Sequence, residues 1–221
     1  MKKVLAFDVY GTLIDPHGVV TQLQSYVGKD AVLFSATWRQ KQLEYTFRRG
    51  LMRRYEDFTV CTSNALDYTC DFLKLPLSNS QKQVLLQSYQ KLPAYSDVIQ
   101  GLEILKKDFH LYAFSNGAPK AVDELLCFAG IRNLFKDIIT TSEINSYKPN
   151  PDVYHHLLER THSSGIDTWL ISSNPLDVIG AISIGMQSAW IKRSNDAVFD
   201  PWGIEPTLVS SNLADLALNI K

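Results

Sequence analysis

Three cysteines in 221 residues are too few to frame a fold. Cys61, Cys70 and Cys127 are odd in number and include no Cys-x-x-Cys pair, which argues against a disulfide scaffold or a structural zinc site. They are expected to be small buried hydrophobes in a reducing compartment. An excess of charge of one sign is also missing. The 22 Lys and Arg residues against 23 Asp and Glu leave a net charge of -1, with no basic stripe. Nucleic acid and anionic membrane surfaces are therefore not expected as partners. No stretch approaches the roughly 20 apolar residues of a membrane span. The apolar run after Met1-Lys2-Lys3 stops at Asp8, too short for the core of a signal peptide. A cytoplasmic location is the expectation. Internal repeats, low-complexity tracts and charged tails are lacking too.

What remains is ordinary globular material, 45% apolar and 20% charged, enough for one α/β domain or a core with a smaller insertion. Val4 to Phe7 is a short apolar run with β-branched and aromatic members, bounded by Gly11, and reads as a buried strand. It ends on Asp8. Ligands in open α/β sheets bind beyond the carboxyl ends of the strands, so an acid there is placed for chemistry. Capping of the following turn is an equally good account of Asp8 taken alone.

From about 16 to 92 the spacing turns helical. Trp38, Leu43, Tyr45, Phe47 and Leu51 mark one helix, and 65–73 a second, ended by Leu75-Pro76. A third runs over 82–92 and stops at Pro93. Beyond Tyr95, strands at 111–114, 137–140, 169–171, 188–191 and 207–209 alternate with helices at 98–107, 120–129, 152–161, 177–184 and 213–218. Gly130 and Gly185 sit where helices would end in a left-handed residue. Such alternation predicts a doubly wound parallel sheet with helices on both faces. The all-helical block inserted after the first strand reads as a cap over that strand's end. The division expected is 1–15 and 94–221 for the core and 16–93 for the helical cap.

Three later segments carry polar residues at strand ends or nearby loops: Ser115-Asn116-Gly117, Tyr147-Lys148-Pro149, and Ser172-Ser173-Asn174-Pro175-Leu176-Asp177. Singly each has a structural account. Ser115 and Asn116 could cap a helix, Lys148 could be a solvated loop residue, and Asn174, Pro175 and Asp177 fit the first turn of a helix. Jointly they bring a carboxylate, hydroxyls, an amide, a lysine and a second carboxylate to one crevice, a nucleophile with its positioning groups.

Asp8-Val9-Tyr10-Gly11-Thr12, Ser115-Asn116, Lys148-Pro149 and the Asp177 loop, in this order, resemble the haloacid dehalogenase superfamily over essentially the whole chain. The resemblance implies a Rossmann-like core with a helical cap. Most of that superfamily are magnesium-dependent phosphatases with an Asp-x-Asp first motif. Tyr10 stands at the second position here, and a phenol cannot replace a hard carboxylate at magnesium. Tyr10-Gly11-Thr12, with Trp38 through Thr46 in the insertion, instead resembles the L-2-haloacid dehalogenase branch.

That branch implies hydrolysis of L-2-haloacids to D-2-hydroxyacids through an aspartyl ester, with no cofactor and no metal. Asp8 would be the nucleophile, and Thr12 and Lys148 would hold it ionised and aimed. Ser115 would bind the substrate carboxylate, while Arg39 and Asn116 would stabilise the departing halide. Asp177, with Lys148 and Asn174, would orient the hydrolytic water. Ser172 and Tyr154 would support Lys148 and Asp8, and Tyr10, Gln40, Leu43 and Phe58 would line the pocket. The branch often carries Trp at the positions of Leu176 and Phe47. Leu176 would lie against the substrate and alter its alkyl-chain preference, whereas Phe47 would alter packing. The implied partners are a small 2-haloacid, halide and, as is frequent in the branch, a second copy of the chain. A phosphatase or other hydrolase on the same scaffold, and a non-catalytic binding protein that keeps the fold, are the alternatives.

Overall fold

The computed structural model describes residues 2–220. The first strand, β1 (Val4–Asp8), is buried at all five positions, as its run of apolar residues requires of a central parallel strand. Phe7 packs edge-on against Phe135, with ring centroids 6.0 Å apart. Burial of a side chain of that size contributes about 1.5–3 kcal/mol.

Four helices form the stretch after β1: α1 (Val20–Val27), α2 (Ala31–Leu51), α3 (Phe58–Leu73) and α4 (Asn79–Ser88). The chain then alternates through α5 (Val98–Leu105), β2 (His110–Ser115), α6 (Pro119–Phe128), β3 (Asp137–Thr140) and α7 (Pro151–Thr161). It closes with β4 (Thr168–Ser172), α8 (Pro175–Ser183), β5 (Gln187–Ile191), β6 (Leu208–Ser210) and α9 (Leu213–Asn219). The six strands are all parallel, in the order β3-β2-β1-β4-β5-β6. The doubly wound parallel sheet read from the sequence is the fold found.

Strand order reverses at β1, which lies between β2 and β4, and a crevice opens at such a switch point. Register brings the polar strand ends level. Asp8 pairs with Phe114, one residue before Ser115, and Phe7 pairs with Ile171, one before Ser172. The two passages between sheet and helices are themselves paired: Asp15 N–H donates to Pro93 C=O and Tyr95 N–H to Leu13 C=O, both at 3.0 Å.

Several local expectations need correction. The helix expected over 82–92 is α4 and covers Asn79–Ser88, because Ser78 and Gln81 form a reciprocal capping box that starts it early. Pro93 therefore lies beyond its end instead of stopping it. The helix after β4 begins at Pro175, two residues before the expected start, with Asn174 at the cap. Cys61 and Cys70 are buried, but Cys127 is exposed on the outer face of α6. No helix among the described residues is long and apolar enough to cross a membrane.

Candidate active site

The turn after β1 fixes the first carboxylate. Val9 C=O accepts from the amides of Thr12, Leu13 and Ile14, which folds the chain back within five residues. Gly11 takes φ +94°, a conformation that disfavours any side chain. The turn brings the Thr12 hydroxyl back onto Asp8, where it donates to Oδ2 at 2.8 Å. Asn174 Nδ2 donates to the same oxygen at 2.8 Å, and Lys148 Nζ donates to Oδ1 at 3.1 Å. Asp8 is buried, so these three donors replace the water a carboxylate would otherwise need.

Lys148 is only 2% exposed. Its three ammonium protons have three acceptors: Asp8, Phe114 C=O at 2.9 Å and Asp177 Oδ2 at 2.8 Å. Burial works against the ammonium, but the Asp177 and Asp8 carboxylates outweigh it and hold Lys148 above its ordinary value. Asp177 is also buried, which pushes its carboxyl up while Lys148 opposes the shift. Its second oxygen accepts from the Tyr154 hydroxyl at 2.8 Å. Burial and the Asp177 charge drive the Tyr154 phenol well above its ordinary range, so it serves as a donor. Gly180 makes this contact feasible, since a Cβ there would lie 2.5 Å from the Tyr154 oxygen.

Asn174 shows local structure yielding to the site. It occupies the cap position of α8 yet makes no side-chain cap bond, because its amide is turned onto Asp8. Asn150, in the equivalent position at α7, caps in the ordinary way by accepting from Asp152 N–H. Asn116 is oriented by its oxygen, which accepts from Lys148 N–H at 3.0 Å and the Thr141 hydroxyl at 3.3 Å. Both acceptor directions are thereby used, and the amide's NH2 remains for the crevice. Ser115 Oγ accepts from Gly117 N–H at 3.1 Å.

The crevice is a cleft between the sheet end and the helices. Arg39 and Leu43 of α2 and Phe58 of α3 line it, facing Asp8, Ser115, Asn116, Lys148, Asn174, Leu176 and Asp177. Tyr10 forms one wall, its ring 5.4 Å from Phe58 and 6.0 Å from Tyr89. Burial raises its phenol beyond the ordinary range, so it presents a neutral aromatic surface. Arg39 donates to Gln42 Oε1 at 2.7 Å and Tyr10 C=O at 3.1 Å. Both acceptors are neutral, and among the described residues no carboxylate pairs with Arg39. Its positive charge is therefore left for an anion in the cleft.

One residue named from sequence for the pocket lining lies elsewhere. Gln40 is exposed and does not line the cleft, because one step along a helix from Arg39 rotates a side chain to another face. Ser172 Oγ accepts from Asn174 N–H at 3.1 Å and so braces the loop that carries Asn174 onto Asp8. Sequence reasoning also overlooked Gln42, which is fully buried. Its amide takes Arg39 on one side and donates to Thr62 Oγ1 on the other at 2.5 Å. The i, i+3 spacing from Arg39 was the available signal. Ser173, whose backbone N–H donates to Thr12 Oγ1 at 2.8 Å, carries no such mark.

Comparison with known proteins places these residues in context. A family model described as haloacid dehalogenase-like hydrolase matches residues 2–185. The chain is 37% identical to an (S)-2-haloacid dehalogenase of Pseudomonas sp. strain YL, over 92% of this chain and 88% of that one. It is also 37% identical to haloacetate dehalogenase H-2 of Moraxella sp. strain B, over 93% of each. Among solved structures, the L-2-haloacid dehalogenase of Xanthobacter autotrophicus with chloropropionic acid covalently bound superposes with a TM-score of 0.92. That pair shares 30% identity, over 99% of this chain and 98% of the other.

Proposed function

The chain belongs to the haloacid dehalogenase-like hydrolase family, and from that premise we propose that it hydrolyses the carbon–halogen bond of small L-2-haloacids. The observation that carries this reading is the environment of Asp8. A buried carboxylate, held by one cation and two neutral donors, opens on a cleft whose far side offers an arginine that has no carboxylate partner among the described residues. The region 16–93 is read as a cap that supplies Arg39, Leu43 and Phe58, and 1–15 with 94–221 as the core.

Asp8 Oδ1 has a single donor, Lys148, whereas Oδ2 has two. Oδ1 is therefore the better nucleophile. It attacks C2 from the side opposite the halogen, forming a C–O bond as the carbon–halogen bond breaks and the electron pair leaves with halide. Configuration at C2 inverts. Ser115 receives the substrate carboxylate, and Arg39 with the Asn116 NH2 receives the charge that develops on the halogen. Oδ2 becomes the ester carbonyl, already facing Thr12 Oγ–H and the Asn174 NH2, which are placed to hold the oxyanion formed when water adds. Asp177, fixed by Lys148 and Tyr154, orients that water and takes its proton. The tetrahedral adduct then collapses, breaking the bond between the Asp8 carboxyl carbon and the substrate oxygen. That oxygen takes the proton held by Asp177 to give the D-2-hydroxyacid, and Asp8 returns to the carboxylate as its acid proton passes to solvent.

The donor set favours a reaction without metal. Tyr10 offers a ring where a second carboxylate would stand, and both oxygens of Asp177 are engaged by Lys148 and Tyr154. Among the described residues, no three His, Cys, Asp or Glu side chains gather at one point. The test is halide release from L-2-chloropropionate with excess chelator, beside a phosphate ester supplied with magnesium. Halide release should persist undiminished under chelation. Activity that returns to a stripped enzyme only on adding magnesium would overturn the assignment. Leu176 flanks the same cleft, so 2-halo acids with longer chains belong in that assay as a measure of the room it leaves.

Arg39→Lys tests the halide side. Arg39 reaches Gln42 and the Tyr10 carbonyl from two different nitrogens of its planar fork, a spread that a single ammonium lacks. Turnover should fall about 100-fold, the scale of losing one donor to a developing charge, with thermal stability kept. An unchanged kcat would return Arg39 to a surface role.

A further inference from the structure

The end of β5 contributes nothing to the cleft lining, yet it reaches the nucleophile turn from behind. Arg193, two residues past β5, donates to Thr12 C=O from Nε at 3.1 Å and from Nη2 at 2.5 Å. Nη1 donates to Asp97 Oδ1 at 2.7 Å, and the guanidinium lies 4.3 Å from the Tyr95 ring centroid. The Thr12 carbonyl is not used by the turn, whose amides go to Val9 and Ile14 carbonyls, and Thr12 is fully buried. A buried carbonyl left without a donor is costly, so the forked guanidinium fills a requirement of this turn.

Resting on the reaction proposed above, we propose that Arg193 is a positioning residue for Asp8, acting through the Thr12 carbonyl. The chain of contacts is short. Thr12 Oγ1 donates to Asp8 Oδ2 at 2.8 Å, and the direction of that hydroxyl follows from where the Thr12 backbone is held. Beyond the turn's own bond from Thr12 N–H to Val9 C=O, Thr12 is held by Ser173 N–H on the hydroxyl and by Arg193 on the carbonyl. Trp190, on β5 itself, braces the first of these by donating from Nε1 to Ser173 C=O at 3.0 Å.

Arg193 also grips the place where the chain returns from the helices. Tyr95 N–H bonds Leu13 C=O, next to the carbonyl that Arg193 holds, and Asp97 sits two residues further on. One guanidinium thus fixes the outgoing and returning passages relative to each other. Displacement of the helical region over the cleft would be decoupled from the nucleophile turn by this grip. A purely structural account remains to be separated, because Asp97 Oδ2 also accepts from Leu213 N–H at 2.8 Å and ties α9 to the same point.

A double-mutant cycle makes the separation. Arg193→Gln, Thr12→Val and the pair together are compared by kcat and KM for halide release from L-2-chloropropionate, and by thermal melting. Arg193→Gln should lower kcat about 100-fold with KM little changed, the scale of a small misplacement of reacting groups. Arg193→Lys, able to give the carbonyl one bond, should recover part of the loss. In the Thr12→Val background, where the hydroxyl is gone, Arg193→Gln should cost under about twofold more in kcat. Its effect on melting should be the same in both backgrounds. Equal losses of kcat in both backgrounds, or a change confined to KM, would overturn the inference. If Arg193→Gln does not fold, Asp97→Asn can keep its one oxygen as acceptor for Leu213 N–H while its NH2 faces Arg193, which removes both the charge and the hydrogen bond that hold the guanidinium. It should lower kcat with the same dependence on Thr12, and an unchanged kcat would overturn the inference. Absence of halide release from the unsubstituted enzyme would instead remove the proposed reaction, and this inference with it.

Discussion

In a single turnover in heavy-oxygen water, with enzyme in excess, the hydroxyacid released should carry light oxygen and the heavy atom should appear in Asp8. Asp8 and Asp177 both face the cleft, and either could in principle activate water directly on C2. Their bonding separates them. Asp177 has a donor on each oxygen, from Lys148 and Tyr154, and stands in the first turn of α8, where an acid is well placed to support and orient. Asp8 has one oxygen with a single donor and hangs at the end of the central strand. Mass analysis of the peptide containing Phe7 to Thr12 reads the label. Heavy oxygen in the first product, with that peptide unlabelled, would make Asp8 a general base. Asp8→Asn should agree by losing about 10⁶-fold in kcat, the scale of deleting a nucleophile. The variant's fold should survive. The amide must set its NH2 against Lys148 or against Thr12 and Asn174, all donors, but one charge of a buried carboxylate pair is relieved.

The strands were legible because each is a short apolar run closed by a turn residue, and parallel strands buried on both faces have no other pattern to show. The sheet-end residues were legible as a set for the same reason: once β1, β2 and β4 were placed, Asp8, Ser115 and Ser172 had to come level. What failed to show is anything that depends on the angle around a helix or on backbone groups. Arg39, Gln40 and Gln42 are near neighbours in sequence, but only Arg39 lines the cleft and Gln42 lies buried behind it. Ser173 acts through its amide, and Arg193 through a carbonyl, interactions to which side-chain identity gives little clue. The inserted helices were placed least well at their ends, where a capping box at Ser78 outweighed the apolar spacing that had set the expected start.

Lys148→Met should be the most damaging change at the site after loss of Asp8, and its effects should separate by pH. Lys148 is the single ammonium between two buried carboxylates, at 3.1 and 2.8 Å. Removing it leaves Asp8 and Asp177 without their shared counter-charge, which costs about 3–5 kcal/mol of stability for a buried pair broken on one side. kcat should fall at least about 10³-fold, since the cation both aims Asp8 and fixes the water-orienting acid. The directions of the pH response follow from the shifts. Lys148 is held above its ordinary 10.5, so its contribution to stability is complete below that pH and is lost as pH rises through the folded-state value. The unsubstituted enzyme should accordingly keep the ammonium, and with it activity, beyond the ordinary lysine range, while its melting temperature begins to fall once pH passes that range. Asp177 is raised above 3.8 by burial, and it must be ionised to take a proton from water, so the acid limb of kcat should lie above the ordinary aspartate range. In Lys148→Met the opposing cation is gone. The acid limb of the residual activity should then move further up in pH, and the alkaline loss of stability assigned to Lys148 should disappear. A variant with the same acid limb as the unsubstituted enzyme would show that Lys148 does not govern Asp177, and the coupled triad at the centre of the site would have to be abandoned.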